Sequence, residues 1–265
     1  METKTAIVTG GSSGIGRCTA TALRDAGCKV YEFSRRNLPI KGVCHISTDV
    51  TDEESIRNAV KKVTDESERI DILVNCAGNG ISGAVEFTEL SDAKSQFDVN
   101  FFGMVSMNKA VLPIMRKQGH GRIINISSVA AVAHIPFQTF YSASKAATES
   151  YTCGLANEVK PFGISVSCVQ PGDIATGFTE ARRKCCTGDD IYQGRISASV
   201  ATMEKDEQNG MKPETIGKYI AKVSLKKCVK PICTPGVTYK VLGFLCKILP
   251  CRLRNWIVGL LYAKW

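Results

Sequence analysis

Short apolar runs alternate with stretches of helical spacing through the first two thirds of the chain. Thr5-Ala6-Ile7-Val8 ends in a Gly/Ser-rich turn, and a helix is predicted from about Ile15 to Ala26, stopped by Gly27. Further strands are predicted over 29–33, 43–46, 70–75, 122–127 and 164–169. The spacing of Ile56, Ala59, Val60 and Val63 predicts a helix over 52–69, and two more are expected over 91–115 and 139–159. Strands that are apolar almost throughout suit a sheet covered on both faces. Strands and helices in alternation, joined by right-handed crossovers, give an α/β, doubly wound parallel sheet. Between Thr176 and Lys212 polar residues dominate and no single periodic face stands out. Segments leaving the carboxyl ends of such strands border the ligand crevice, so 176–212 is expected to be a substrate lid.

Two helical stripes close the chain. Val241, Phe244, Leu245, Ile248 and Leu249 form the first, which Pro250 ends, and Leu253, Trp256, Ile257, Leu260 and Leu261 form the second. Charge singles out the same region. The net charge is +9, yet no acidic residue follows Glu214, while ten basic residues do: Lys218, Lys222, Lys226, Lys227, Lys230, Lys240, Lys247, Arg252, Arg254 and Lys264. The part up to Glu214 therefore holds 24 basic against 25 acidic residues. Two readings of the stripes stay open. They pack on the domain or a subunit partner, or they lie on an anionic membrane surface. The expected division is 1–238 for the main domain and 239–265 for an amphipathic, basic extension.

Composition narrows the class. With 265 residues, 44% hydrophobic and 22% charged, the chain is globular rather than disordered or coiled-coil. It holds no apolar run of about 18 residues, so no spanning helix is expected. The start, Met1-Glu2-Thr3-Lys4-Thr5, lacks the regions of a signal peptide, which is read as cytoplasmic. The 12 cysteines are scattered without a CxxC pair and His is scarce, so reduced thiols are expected, and no metal site. The basic tail is interleaved with aliphatic stripes rather than stacking aromatics, so no nucleic-acid partner is expected.

Candidate chemistry begins at Thr9-Gly10-Gly11-Ser12-Ser13-Gly14-Ile15-Gly16, between a strand and a helix. Glycines let backbone amides approach a pyrophosphate, and the helix N-terminus offers free N–H groups to it. The second strand ends Phe33-Ser34-Arg35-Arg36 with no acid at its tip; Glu32 lies earlier. An Arg there pairs with a 2′-phosphate, so NADP(H) is expected over NAD, through Ser34 and Arg35. Tyr141 and Lys145, four apart in a helix, share one face. A cation near a phenol stabilises the phenolate and fits the phenol for proton transfer.

These motifs, in this order, resemble the short-chain dehydrogenase/reductase family over about residues 5–178. The resemblance rests on residues 9–16, Asp49-Val50, Asn75-Cys76-Ala77-Gly78, Asn100, Ser127-Ser128, Tyr141 through Lys145, and Pro171-Gly172-Asp173-Ile174-Ala175-Thr176. Cys76 departs from a frequent Asn. The family implies a single Rossmann-type domain in which Tyr141 is the general acid/base. Lys145 would lower its pKa and bind the nicotinamide ribose, Ser128 (with Ser127 as second candidate) would polarise the substrate carbonyl, and Asn100 would hold a relay water. Asp49 and Val50 would contact adenine, Asn75, Ala77 and Gly78 the ribose side, and Pro171, Gly172, Ile174 and Thr176 the carboxamide. A homodimer or homotetramer is implied, through the helices carrying Asn100 and Tyr141. The tail is more weakly similar to those of hydroxysteroid- and retinol-type members, which implies a hydrophobic carbonyl or alcohol: a steroid, a retinoid or a long-chain carbonyl. A 3-oxoacyl thioester reductase, and a non-catalytic NADP(H)-binding sensor or scaffold, are the alternatives.

Overall fold

The computed structural model describes residues 3–263; Lys264, counted above in the basic tail, lies outside them. The elements in order are β1 (Thr5–Thr9), α1 (Gly14–Asp25), β2 (Lys29–Ser34), β3 (Cys44–Ser47), α2 (Glu53–Ser67), β4 (Ile72–Asn75), β5 (Ile81–Ser82), α3 (Leu90–Phe97), α4 (Gly103–Gln118), β6 (Gly121–Ile126), α5 (Ala130–Ala133), α6 (Thr139–Val159) and β7 (Ile164–Val169). Then come α7 (Phe178–Ala181), β8 (Arg183–Lys184), α8 (Arg195–Gln208), α9 (Pro213–Leu225), β9 (Ile232–Cys233), α10 (Val237–Ile248) and α11 (Cys251–Val258). Seven strands form one parallel sheet in the order β3-β2-β1-β4-β6-β7-β9, and β5 pairs with β8 as a short ribbon. This is a single Rossmann-type domain.

Alternation along the strands sorts the core into two layers. Ile7, Tyr31, Phe33, Leu73 and Ile123 face one side, where α2, α4 and α6 supply Ile56, Val60, Met107, Val111 and Leu155. Ala6, Val8, Val30, Val74 and Ile124 face the other, against Ala20 and Leu23 of α1 and Ile216 and Ile220 of α9. Each fully buried side chain of this size stabilises the fold by about 1.5–3 kcal/mol relative to exposure. Close approach of α1 and α9 requires Gly217, where a Cβ would lie 2.5 Å from the Cys18 carbonyl carbon.

Three departures from the sequence reading have physical causes. The helix expected over 91–115 is interrupted: α3 passes through a π-helical segment, Asp98–Phe102, before α4. The lid region contains a regular helix, α8. Its inner stripe, Ile196, Ser199, Val200 and Met203, includes a serine and is narrow, which hides the period. Strand β9 is two residues long and follows a basic loop with no alternation to read. The loop is tied down by Arg122, buried on β6, whose guanidinium donates to the carbonyl oxygens of Lys226 (2.7 Å) and Lys227 (3.3 Å).

Candidate active site

The sheet order reverses between β1 and β4, and the carboxyl ends of β1, β4, β6 and β7 open onto the crevice this creates. Thr9, the last residue of β1, is buried, and its hydroxyl accepts from the amides of Cys76 and Ala77 at 3.1 Å each. That clamp brings the β4 turn against the phosphate loop. Gly10 has φ +66°, and a Cβ there would lie 2.8 Å from the Ala77 Cα. At Gly16 a Cβ would lie 2.3 Å from the Gly10 carbonyl oxygen. Gly14 also has positive φ, Ser12 is buried, and Ile15 packs toward the core. Ser13 caps α1 without a side-chain hydrogen bond, and no acid lies in the first turn. The helix thus offers its amides and its positive dipole end outward. Arg17 and Leu38 line a cleft with Ser12, Ser13 and Gly14. This cradle fits a pyrophosphate.

At the tip of β2, the Glu32 carboxylate is 2% exposed and takes up His45 Nδ1 of β3 at 2.5 Å. Its other oxygen, Oε1, is buried without a hydrogen-bond partner among the described residues, and the side chain lies against Gly11 of the phosphate loop. Ser34 donates to the Arg36 carbonyl (2.9 Å), Arg35 is exposed, and Arg36 reaches the Ser13 hydroxyl at 3.4 Å. Arg36 is the cation nearest the phosphate loop at this tip, one residue beyond the Arg35 singled out from sequence. Asp49 accepts the Thr51 amide at 2.9 Å, a hydrogen bond that holds its carboxyl below the usual range. Val50 is buried against Gly103 at the start of α4.

Asn75 does something sequence did not show. Its amide donates to Asn108 (2.8 Å) and Asn125 (2.9 Å), and Asn125 in turn donates to Thr152 (2.9 Å). The Asn75 nitrogen thus braces β4, β6, α4 and α6 inside the core, while its Oδ1 has no hydrogen-bond partner among the described residues. Gly78 is exposed, and a Cβ there would meet Asn100 Oδ1 at 3.2 Å and Lys145 Nζ at 3.7 Å. Asn100 sits in the π-helical segment, 3% exposed. It accepts the Asn79 amide (2.8 Å) and donates to the Asn79 carbonyl (3.0 Å) and the Ser144 hydroxyl (3.2 Å). Wider π turns often mark functional sites. Here the turn delivers Asn100 to the β4 loop beside Lys145.

The two serines after β6 diverge. Ser127 is buried and donates to the Lys145 carbonyl at 2.9 Å, whereas the Ser128 hydroxyl accepts the Ala130 amide at 3.1 Å and faces the Tyr141 phenol, whose proton it makes easier to lose. Lys145 Nζ, 6% exposed as a residue, donates to the Ile126 carbonyl (2.9 Å) and lies 5.6 Å from the Tyr141 ring centroid. Burial pushes Lys145 down to about 8. Burial likewise pushes Tyr141 up to about 12, with the Ser128 hydrogen bond opposing it. The expected lowering of the phenol is thus not what the chain alone produces. Desolvation is the largest cause, and the Ser128 hydroxyl and the Arg182 charge offset it only in part.

Pro171–Thr176 folds back over the phosphate loop: Thr176 flanks Gly14, Pro171 accepts the Val129 amide (2.9 Å), and Ile174 is bridged to Met211. Gly172 is pressed flat under the Tyr239 ring, and Tyr239 donates to Asp173 at 2.9 Å. The lid adds residues that sequence did not single out. The Phe178 ring lies 5.7 Å from that of Tyr141 and against Gly80. Arg182, with a fully buried side chain, stacks on Phe178 and pairs with Glu207. The only local signal was an aromatic residue directly after Thr176-Gly177; the Arg182–Glu207 pair spans 25 residues and has none.

Residues 4–186 match the short chain dehydrogenase family. The chain belongs to this family. It is similar to the 3-ketodihydrosphingosine reductase of Bacteroides thetaiotaomicron, 42% identical over 260 residues that cover 97% of this chain and 94% of that one. Among solved short-chain dehydrogenases it resembles one from Streptomyces avermitilis, at 30% identity and TM-score 0.84, over 97% of this chain and 96% of that one. A serine dehydrogenase complexed with NADP+ matches at 27% identity and TM-score 0.75, over 88% and 95%. The chain is thus an oxidoreductase of the short-chain dehydrogenase family, whose fold neighbours hold nicotinamide dinucleotides, and its phosphate cradle fits such a cofactor.

Proposed function

We propose that the protein reduces the ketone of a long-chain, sphingoid-type lipid to a secondary alcohol, using NADPH. The observation that carries the reaction is the setting of Tyr141: a phenol held protonated by burial, beside the Ser128 hydroxyl and under the Phe178 ring. A group poised in this way gives a proton to a carbonyl oxygen. Among steroid, retinoid and long-chain carbonyls, the long chain is favoured by the 42% identity to a reductase whose name specifies 3-ketodihydrosphingosine.

The cofactor, when bound, supplies the hydride. Gly10, Ser12, Gly14 and the α1 amides hold its phosphates, and Ser34, Arg35 and Arg36 serve a 2′-phosphate. The exposed Arg35 and the Arg36 guanidinium beside Ser13 support NADP(H), because a guanidinium pairs with a 2′-phosphate. Ser128 Oγ hydrogen-bonds the substrate oxygen and Tyr141 Oη donates its proton to it. The phenolate so formed lies near the Lys145 ammonium, which stabilises it. Asn100 fixes the β4 loop beside Lys145, and Phe178 keeps water from the reacting oxygen.

The test is NADPH oxidation with 3-ketodihydrosphingosine, a steroid ketone, retinal, a long-chain aldehyde and an acetoacetyl thioester, with NADH compared by direct titration. Turnover on the long-chain ketone, with at least tenfold tighter NADPH than NADH, is the expected result. Turnover confined to the thioester would transfer the assignment to acyl-thioester reduction, and equal affinity for the two cofactors would sink the NADP(H) reading.

A further inference from the structure

The C-terminal stripes face solvent. Phe244 (62% exposed), Ile248 (58%), Trp256 (50%) and Leu261 (57%) stand out from α10, α11 and the turn that follows. What these elements bury against the domain is small: Gly243 and Cys246 from α10, and Val258, Gly259 and Ala263 beyond it. Scattered apolar residues on a surface need no explanation, but two consecutive helices that turn most of their apolar stripes outward do. Exposed Lys240, Lys247 and Arg252 flank the stripes, and among the described residues no acid follows Glu214. Among the described residues, no helix is long and apolar enough to cross a membrane.

We propose that α10 and α11 dock the protein on the surface of a bilayer containing anionic phospholipid, with their stripes sunk at the level between headgroups and acyl chains. Apolar stripes with basic flanks are what such a surface binds. Charge also disfavours a second copy of the chain as the occupant, because face-to-face pairing would bring the two basic flanks together. The placement gives the contact a purpose. The hairpin rests on α5, which begins two residues after Ser128, through Cys246 and Val258 packed with Ala133. Tyr239, at the start of α10, covers Gly172 and bonds Asp173, and Tyr262 bonds Asp206 of α8 at 3.2 Å. The docked face therefore adjoins both the segment over the phosphate loop and the lid, and a substrate dissolved in the bilayer reaches the crevice without crossing water. Docking itself does not depend on which carbonyl is reduced.

Flotation of the full-length chain with phosphatidylcholine vesicles, with and without phosphatidylglycerol, tests this. Anionic vesicles are expected to bind about 100-fold more tightly than neutral ones, three near-surface cations contributing roughly fivefold each. High salt should remove most of that difference. The variant Phe244→Glu/Trp256→Glu should lose vesicle binding while keeping its far-UV circular dichroism and its NADPH affinity. Equal binding of wild type and variant, or no binding by wild type, would overturn the proposal. So would a wild-type dimer that the double variant converts to monomer, which would assign the face to a second copy. Turnover is not part of this readout, so a wrong substrate assignment and a wrong docking surface fail separately.

Discussion

Phe178 of the lid covers Tyr141, their ring centroids 5.7 Å apart at an interplanar angle of 53°. A residue from the segment with the least readable pattern thus sets the solvent exposure of the residue with the most readable motif. Removing the ring should let water reach the phenol. Phe178→Ala is expected to bring the Tyr141 pKa down from about 12 toward the ordinary value, because burial is the largest cause of its rise. It should also cost roughly tenfold in kcat/KM for a long-chain ketone through lost apolar contact. A pH–rate profile whose high-pH limb stays in place would contradict this role.

Tyr141→Phe keeps the ring against Phe178 and deletes only the hydroxyl. Loss of a general acid costs about a hundredfold to ten-thousandfold in rate. Single-turnover reduction should fall by that much while NADPH fluorescence titration shows affinity within about twofold of wild type. Retained turnover would move the proton donor to another group.

Lys145 titrates within an accessible range. Its pKa is pushed down to about 8, so the ammonium predominates below that value and the neutral amine above it. If the charged form is the one that holds the cofactor ribose, NADPH affinity is flat below pH 7. It then weakens as pH rises through 8, by up to about tenfold per pH unit. Titrations across this range, with Lys145→Met as a control that shows no such limb, check the sign.

Gly16 has no room for a side chain, since a Cβ would stand 2.3 Å from the Gly10 carbonyl oxygen. Gly16→Ala is expected to push α1 away from the loop, with a stability loss of about 1–3 kcal/mol from overpacking. Cofactor binding should weaken more than global stability implies, because the same displacement spoils the phosphate cradle. Urea unfolding and NADPH titration on the same sample separate the two effects.

Arg182 has a fully buried side chain and is paired with Glu207, which also accepts from Thr179 at 2.6 Å. Arg182→Met leaves that carboxylate without its cation, and breaking a buried pair from one side costs about 3 kcal/mol or more. Thermal unfolding should fall by several degrees, and Arg182→Met/Glu207→Gln should recover part of the loss. A single variant as stable as wild type would mean that the pair does not hold the lid.

Features that depend on neighbours within a few residues were legible from sequence. The strand–glycine loop–helix order, the Tyr141–Lys145 face and the amphipathic stripes all follow from fixed helical and strand periods, and the described elements match them to within a few residues. What the chain alone could not announce lies in long-range packing. That the Asn75 amide nitrogen donates to Asn108 and Asn125, 33 and 50 residues away, has no local signature. The π-helical segment at Asn100, the Arg182–Glu207 pair and the ring over Tyr141 likewise join distant stretches.

The stripes of α10 and α11 mark the boundary most sharply. Sequence determined that they exist, because period and charge are local properties. Whether they face the core or the solvent was decided by the tertiary structure. The sheet is already covered on both faces by other helices, so the hairpin buries only a few contacts, with α5, with α8 and, through Tyr239, with Gly172, and its stripes are left outside. The acid–base state of Tyr141 was decided in the same way. The four-residue spacing brings a lysine near it, and the depth of the crevice sets which effect on the proton wins.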